Sequence, residues 1–222
     1  MYRPKSLSLS KPLLACAMIA LLAGCAKDGE IDASGGITAR RNPCPAVGVP
    51  AYTGDITVFD PPASRDSRAI DVVAAITNVR SACAGLDTGS VDLTTHATFD
   101  VIATRSKTSG ARDVTLPYFS TVIRGGRAVI AKRVGQVVLH FEDGQARASA
   151  AGSADSVVNR AAATLPEDIQ KQITKKRKAG DSDAAIDPLA LPAVKEAVNR
   201  ASFELLIGFQ LTSDQLQYNA TR

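Results

Sequence analysis

The sequence predicts a mainly β fold, namely an antiparallel sandwich of the immunoglobulin or fibronectin type with a helical insertion before its last strand. Three observations support this prediction: about seven to eight runs that suit strands, turn signals between them, and one segment with helical spacing. A β-barrel stays open as an alternative, because strand number alone does not distinguish it from a sandwich. We assign the folded domain to residues 44–222.

The first half of this domain has mainly strand patterns. Two short extended runs lie at 44–50 and 55–60, and prolines flank both, as is common for edge strands. Residues 68–83 alternate at first and then lose the period, which fits a long strand with a bulge or a helix; Val and Ile favour the strand. In 91–103 the two faces alternate throughout, which predicts a strand with one wet face.

Two glycine turns organise the following strands. Gly125-Gly126 lies between the runs 114–124 and 127–141 and supplies the positive φ of a two-residue hairpin turn. Asp143-Gly144 favours a type I′ turn into one further short strand. We therefore expect two long strands in a hairpin and a third, short strand after them.

Residues 152–200 are predicted to form the helical insertion. Val157 and Ala161 have the spacing of a helical stripe. The run that starts at Pro166 has acidic residues at its beginning and basic residues at its end, and Gly180 follows it. This is the order expected of a helix. A second short helix is expected at 191–201.

The end of the domain returns to a strand and then to a helical turn. Residues 202–211 place large apolar side chains at alternate positions. Thr212 and Gln215 have the spacing of a capping box, so a last helix is expected to begin there.

The N-terminus has the plan of a bacterial lipoprotein signal. Basic residues precede an apolar run at 13–23, which is too short for a bilayer core of about 30 Å. The run ends in Leu22-Ala23-Gly24-Cys25, which resembles the lipobox of bacterial lipoproteins. The resemblance implies a signal peptide at 1–24 and lipid attachment to Cys25. An ordinary signal peptide with a chance cysteine is the alternative.

The residues after the lipobox suggest where the anchor lies. In sorted lipoproteins, aspartate directly after the acylated cysteine favours inner-membrane retention, and here the residue is Ala26. The resemblance therefore implies a lipid anchor in the outer membrane that faces the periplasm. Residues 25–43 are rich in Gly, Asp, Ser and charged residues and have no apolar period, which predicts a flexible tether.

Processing also changes what charge and cysteines imply. The chain has 26 basic and 22 acidic residues, but three of the bases and none of the acids lie in 1–24, which leaves 23 against 22. We therefore expect no nucleic-acid partner. Cys16 leaves with the signal, and Cys44 and Cys83 are predicted to pair as a disulfide in an oxidising compartment. A reduced pair or a metal site is the alternative.

Three stretches resemble a family of alphaproteobacterial envelope lipoproteins of unknown function. They are Cys44-Pro45 with Cys83, the segment 116–134, and the segment 204–219. The resemblance covers most of the mature domain and implies an envelope location and a sandwich, but no activity. The segment near 167–186 is an additional lysine-rich piece compared with that group.

No pattern in the sequence indicates catalysis, a metal or a cofactor. A GxSxG nucleophile elbow and a phosphate-binding loop are both missing, and His96 and His140 fall in strand patterns on faces with polar residues. One charged run has the ordinary explanation of a solvated helix end, and it is also a candidate for contact with anionic lipid or polyanionic wall material. This run comprises Lys171, Lys175, Lys176, Arg177 and Lys178.

These observations favour a non-enzymatic, lipid-anchored periplasmic module that interacts with an unidentified envelope protein or has a structural role. The alternative is a module that binds an apolar small molecule or a lipid between the sheets or under the helical insertion. A flat, exposed apolar patch would favour the first function, and an apolar pocket with a few polar groups the second. Titratable groups clustered in a cleft would favour an enzyme.

Overall fold

The computed structural model describes residues 41–175, 180, 182–183 and 185–222. The chain divides into two compact units, Asn42–Ile173 with Ala185–Arg222, and Met1–Arg41 with Thr174–Ala184. The larger unit contains the strands. No helix in the described part of the chain is both long and apolar enough to span a bilayer.

In the described part of the chain, eight strands form two four-stranded sheets. The strands are β1 (Ala46–Gly48), β2 (Asp55–Phe59), β3 (Ile70–Ala84), β4 (Asp92–Arg105), β5 (Arg112–Arg124), β6 (Ala128–Phe141), β7 (Arg147–Asn159) and β8 (Phe203–Phe209). Sheet 1 has the order β1-β8-β5-β6 and sheet 2 the order β2-β3-β4-β7. All neighbours are antiparallel except β1 and β8. The predicted β-sandwich is confirmed.

One apolar core lies between the two sheets. Successive side chains of a strand point to opposite faces, so each strand gives alternate residues to the core. Among the large side chains that are less than 2% exposed are Val72, Leu93, Phe99, Leu139, Phe141, Leu205, Ile207 and Phe209. Gly152 lies opposite Phe99, and a Cβ there would be 2.3 Å from the Phe99 Cζ atom. The small residue therefore lets the Phe99 ring lie across β7.

The predicted bulge and hairpin are both present. The β3–β4 register shifts between Thr77 and Arg80, where Asn78 has a φ of 51°. This irregularity explains why the alternation of the segment 68–83 breaks. The turn between β5 and β6 has φ values of 60° at Gly125 and 69° at Gly126, as the hairpin prediction requires.

The strand after Asp143-Gly144 differs from its prediction. Gly144 has a φ of 76°, so a tight turn does form. The turn carries the chain to the other sheet, however, where β7 pairs with β4 along 13 residues rather than forming a short strand. The local turn signal contains no information about which sheet receives the next strand.

The helical insertion is present but begins later than predicted. Residues 152–159, which we assigned to it, form the second half of β7. Ala154, Ser156 and Val158 are buried there at alternate positions. The adjacent pair Val157-Val158 fits a helical and a strand period equally, and hydrogen bonding to β4 decides between them.

The helices are α1 (Arg160–Ala163), α2 (Glu167–Thr174), α3 (Pro192–Ala201) and α4 (Ser213–Thr221). Helix α2 begins as predicted and ends at Thr174, so of the lysine run it contains Lys171 but not Lys175. A second apolar cluster, to which Ile169 of α2 and Val194, Ala197 and Ala201 of α3 belong, joins these two helices in a helical layer. Helix α1 and the turn Pro188–Ala190 contact α3. The predicted capping box of Thr212 and Gln215 begins α4.

Candidate interaction surface

The outer face of sheet 1 carries apolar side chains that the core does not use. Inward positions of β5, β6 and β8 fill the core, so the alternate positions face away from it. The outward apolar side chains, which we call the sheet 1 face, are those of Phe119, Ile123, Val134, Val138 and Leu206. Val134 is 61% exposed and Val138 53% exposed, and the other three are half-buried.

In the middle of the sheet 1 face lies a buried glycine, Gly208, beneath the Thr53 side chain, whose Oγ1 would be 2.3 Å from a Cβ at that position. Phe119 pairs with Val134 on one side and with Gly208 on the other. A Cβ on Gly208 would be 2.9 Å from the Phe119 Cζ atom, so the ring lies close to the β8 backbone. The Lys132 ammonium lies 5.4 Å from the centroid of that ring, a cation–π distance.

Strand β6 is the edge of sheet 1, and its first half projects beyond the core. All seven side chains of 128–134 are exposed, including Val129 at 64% and Ile130 at 56%. An exposed apolar edge strand is a template for pairing with another chain, and charged side chains normally limit this. Lys132 and Arg133 are the charged residues of this half-strand.

The hairpin of β5 and β6 is basic. From Val114 to Phe141 the sequence has no acidic residue but includes Arg124, Arg127, Lys132 and Arg133. Arg124 donates from Nε to the Arg200 carbonyl oxygen and lies over the Phe203 ring. Among the residues that the structure describes, the other three cations form no ion pair with a carboxylate. The exposed apolar side chains of this hairpin therefore have uncompensated positive charge beside them.

Sheet 2 has an open groove on its outer face. The groove has a volume of about 590 Å³, and Val73, Ala75 and Ile102 contribute apolar side chains to it. Arg147 and Ser149 contribute polar groups. It lies outside the sandwich, whereas the alternative function placed an apolar ligand between the sheets or under the helical insertion.

The two histidines lie on different sheets. In sheet 2, His96 Nδ1 is 2.6 Å from Asp155 Oδ1. In sheet 1, His140 Nδ1 is 2.5 Å from Asp113 Oδ1, and this hydrogen bond raises the pKa of His140. Both rings are exposed, as predicted for wet strand faces. No cluster suited to a metal ion occurs within the described ranges.

The predicted disulfide is confirmed. Cys44 and Cys83 are bonded, with their Cα atoms 6.2 Å apart. Cys44 precedes β1 of sheet 1 and Cys83 lies near the end of β3 of sheet 2, so the bond joins the two sheets. The predicted lipid attachment residue, Cys25, lies outside the described residues.

The lysine run is only partly described. In α2, Lys171 Nζ is 2.7 Å from Glu167 Oε1. In the smaller unit, Lys175 Nζ is 2.7 Å from Asp183 Oδ2. Both cations therefore have carboxylate partners. Residues 176–178 lie outside the described residues, and the predicted contact with an anionic surface stays a prediction.

The sequence interpretation missed the sheet 1 face. It predicted strands at 114–124, 127–141 and 202–211 without saying which of the apolar side chains in the first two face outward. A signal was present, because 204–209 has consecutive apolar residues rather than strict alternation, which indicates a strand that is apolar on both faces.

Comparisons with protein-family models, curated proteins and solved structures find no match.

Proposed function

We propose that this chain is a lipid-anchored module of the bacterial envelope that binds a partner protein through the sheet 1 face, beside the second half of the edge strand β6, without catalysing a reaction. The observation that supports this most directly is the exposure of Val134 and Val138 on the edge strand of a sheet, next to the half-buried Phe119. Large exposed apolar patches are uncommon on monomeric proteins and mark interaction sites. The lipobox supports the anchor on Cys25 in the outer membrane, facing the periplasm.

The chemistry of the surface defines the partner that it would bind. Full burial of a valine contributes about 1.5–3 kcal/mol, so covering the half-exposed Val134 and Val138 would contribute roughly 1 kcal/mol each. Lys132, whose ammonium lies over the Phe119 ring, would favour carboxylates at the rim of the partner surface. A partner with an apolar patch bordered by acidic residues is therefore the complementary one.

Site-specific photocrosslinking in intact cells tests the protein interface. A photoreactive residue at Val134 or Val138 of the full chain should form the same adduct, and one at the exposed Thr98 of sheet 2 should not. Val138→Glu should reduce the adduct formed from position 134 at least tenfold, because a carboxylate would be buried at an apolar contact. Thr98→Glu is the matched control and should leave it unchanged. Equal adducts at all three positions, or none at 134 and 138, would contradict the proposal.

The anchor has a separate test. Cys25→Ser in the full chain should abolish labelling by an alkyne fatty acid and move the protein from the outer-membrane fraction to the soluble periplasmic fraction. Cys16→Ser is the matched control, because that residue would leave with the signal. Membrane association that persists in Cys25→Ser would contradict anchoring by this residue.

The groove on sheet 2 supports a second candidate function, binding of an apolar small molecule or lipid. Saturable binding of a fluorescent fatty acid that is lost in Ile102→Glu but retained in Val138→Glu would favour it. Binding that neither substitution affects, or no binding, would leave the sheet 1 face as the functional surface.

A further inference from the structure

We infer that one end of the sandwich, the end at which the chain enters it, rests on an anionic lipid surface and orients the anchored domain. This inference rests on the proposed anchor at Cys25. We call this end the tether end and define it by the first residue of β1, the last residue of β7 and the β5–β6 turn at 124–127. Ala46 pairs with Glu204 near the start of β8, and Asn159 pairs with Asp92 at the start of β4.

The helical layer lies at the tether end. Helix α1 begins directly after β7, and α3 ends just before β8. The Gly125 amide donates to the Ser202 carbonyl oxygen at 2.9 Å, so the β5–β6 turn contacts the end of α3. A Cβ on Gly125 would lie 3.0 Å from the Asn199 carbonyl oxygen, which shows how close the backbones are.

Large apolar side chains are exposed at this end on three separate segments. The residues are Val91 before β4 (73% exposed), Val129 and Ile130 after the β5–β6 turn (64% and 56%), and Ile186, Leu189 and Leu191 before α3 (47%, 50% and 40%). Val194 and Ala197 of α3 are buried in the helical layer. Residues other than Ile186, Leu189 and Leu191 therefore pack the helical layer.

Charge favours lipid headgroups as the occupant. Arg127 and Arg133 lie beside Val129 and Ile130, without a carboxylate partner in the described residues. Exposed apolar side chains bordered by cations are the pattern of segments that lie in the interface of an anionic bilayer. Asp87 and Asp92, which are also exposed at this end, lie before β4 and at its start rather than beside Val129 and Ile130.

The length and attachment of the tether bring the same end to the bilayer. Eighteen residues separate Cys25 from Cys44. A fully extended chain of this length spans at most about 65 Å, and a flexible one averages about 24 Å. The disulfide fixes Cys44, the residue that follows the tether, to Cys83 near the end of β3. An acyl chain on Cys25 would therefore hold the tether end, rather than the opposite end, close to the headgroups.

Fluorescence quenching by brominated lipid tests this contact. The full acylated chain is placed in vesicles of phosphatidylethanolamine and brominated phosphatidylglycerol, with an environment-sensitive label on Ile130→Cys or Leu189→Cys. Gln145→Cys, in the turn at the opposite end, is the matched control. Quenching should be at least threefold stronger at 130 and 189 than at 145, and it should weaken in 0.5 M salt (roughly a 4 Å screening length). Mass spectrometry verifies that Cys44 and Cys83 remain paired.

The outcomes separate this inference from the proposed anchor. Acylated chain that floats with vesicles but is quenched equally at 130, 189 and 145, or at none of them, overturns the inference and leaves the anchor intact. Chain that lacks an acylated Cys25 overturns the anchor instead. In that case the lipid contact is tested by flotation of the unacylated chain with phosphatidylglycerol vesicles. Flotation with the vesicles supports the contact, and failure to float with them overturns it.

A charge variant provides a second readout. Arg127→Ser with Arg133→Ser should reduce quenching at position 130 at least twofold, because two cations are removed from the contact. Arg147→Ser, an exposed arginine of sheet 2, should not change it. Protection of position 130 by a protein partner, without quenching by lipid, would overturn the lipid contact in favour of a protein interface.

Discussion

Tyr118 donates its hydroxyl to the Ser153 carbonyl oxygen at 2.8 Å and thereby joins sheet 1 to sheet 2. The two strands involved, β5 and β7, belong to different sheets. The Tyr118 ring packs edge-on against Phe99, with centroids 5.1 Å apart, and passes over Gly135 of β6. One side chain thus contacts the core, bridges the sheets and requires a glycine beneath it.

Gly135→Ala should destabilise the fold. The new Cβ would lie 2.6 Å from the Tyr118 Cζ atom, so the ring must move, and overpacking of this kind costs about 1–3 kcal/mol. Tyr118→Phe should cost about 1 kcal/mol through the lost hydrogen bond. Gly48→Ala is the matched control, because its Cβ would meet Leu206 at an ordinary 3.8 Å. Urea denaturation provides the measurement, and equal stability of both alanine variants would refute the packing argument.

Arg105 should be the most sensitive charged residue of the sandwich. It is only 4% exposed, and its guanidinium lies over the Phe141 ring. It donates to the carbonyl oxygens of Thr108, Gly110, Glu142 and Gln145. Arg105→Met should lower the unfolding free energy by about 3 kcal/mol or more, because it leaves these acceptors without their donor. Arg147→Met, in an exposed position, should change it by less than about 0.5 kcal/mol.

The charge of His140 should depend on Asp113. The Asp113 carboxylate accepts a hydrogen bond from His140 and raises the pKa of the imidazole above its ordinary 6.5. In Asp113→Asn the NMR titration midpoint of His140 should fall, while Asp155→Asn, the control in sheet 2, should leave it unchanged. An unchanged midpoint in Asp113→Asn would show that Asp113 does not cause the raised pKa of His140.

The same hydrogen bond predicts a pH dependence of stability. A pKa that is raised on folding stabilises the folded state fully below the unfolded value of about 6.5, and this stabilisation is lost as the pH rises through the folded value. The melting temperature of the native chain should therefore exceed that of Asp113→Asn by more at pH 5 than at pH 9. A constant difference across this range would contradict the linkage.

Loss of the disulfide should destabilise the domain without changing its fold. Cys44 and Cys83 are 39 residues apart in sequence, and a bond closing a loop of this length contributes about 3–4 kcal/mol in the chain-entropy estimate. The double variant Cys44→Ser, Cys83→Ser should show this loss in urea denaturation, and a reducing agent should then have no further effect. Two alkylatable thiols in the untreated native protein would contradict the bond.

Local sequence patterns predicted most elements. The hairpin turn at Gly125-Gly126 and the capping box at Thr212 and Gln215 depend on residues that are adjacent or three apart, so the necessary interactions are in the sequence itself. The strand at 91–103 has one buried and one wet face, and the resulting alternation is unambiguous. The pairing of Cys44 with Cys83 followed because only these two cysteines are left when Cys16 lies in the predicted signal and Cys25 is the predicted lipid attachment residue.

The sequence by itself thus determined the class of fold, the helices at 167 and 192 and the disulfide, because each depends on short-range patterns or on few alternatives. Only the tertiary structure decided that β7 crosses to sheet 2, that the buried Arg105 donates to the distant carbonyl groups of Glu142 and Gln145, and that Val134 and Val138 face outward. These features depend on which strands are neighbours. Hydrogen bonds between strands far apart in sequence select those neighbours, and the apolar residues of an exposed face and of a core are chemically the same.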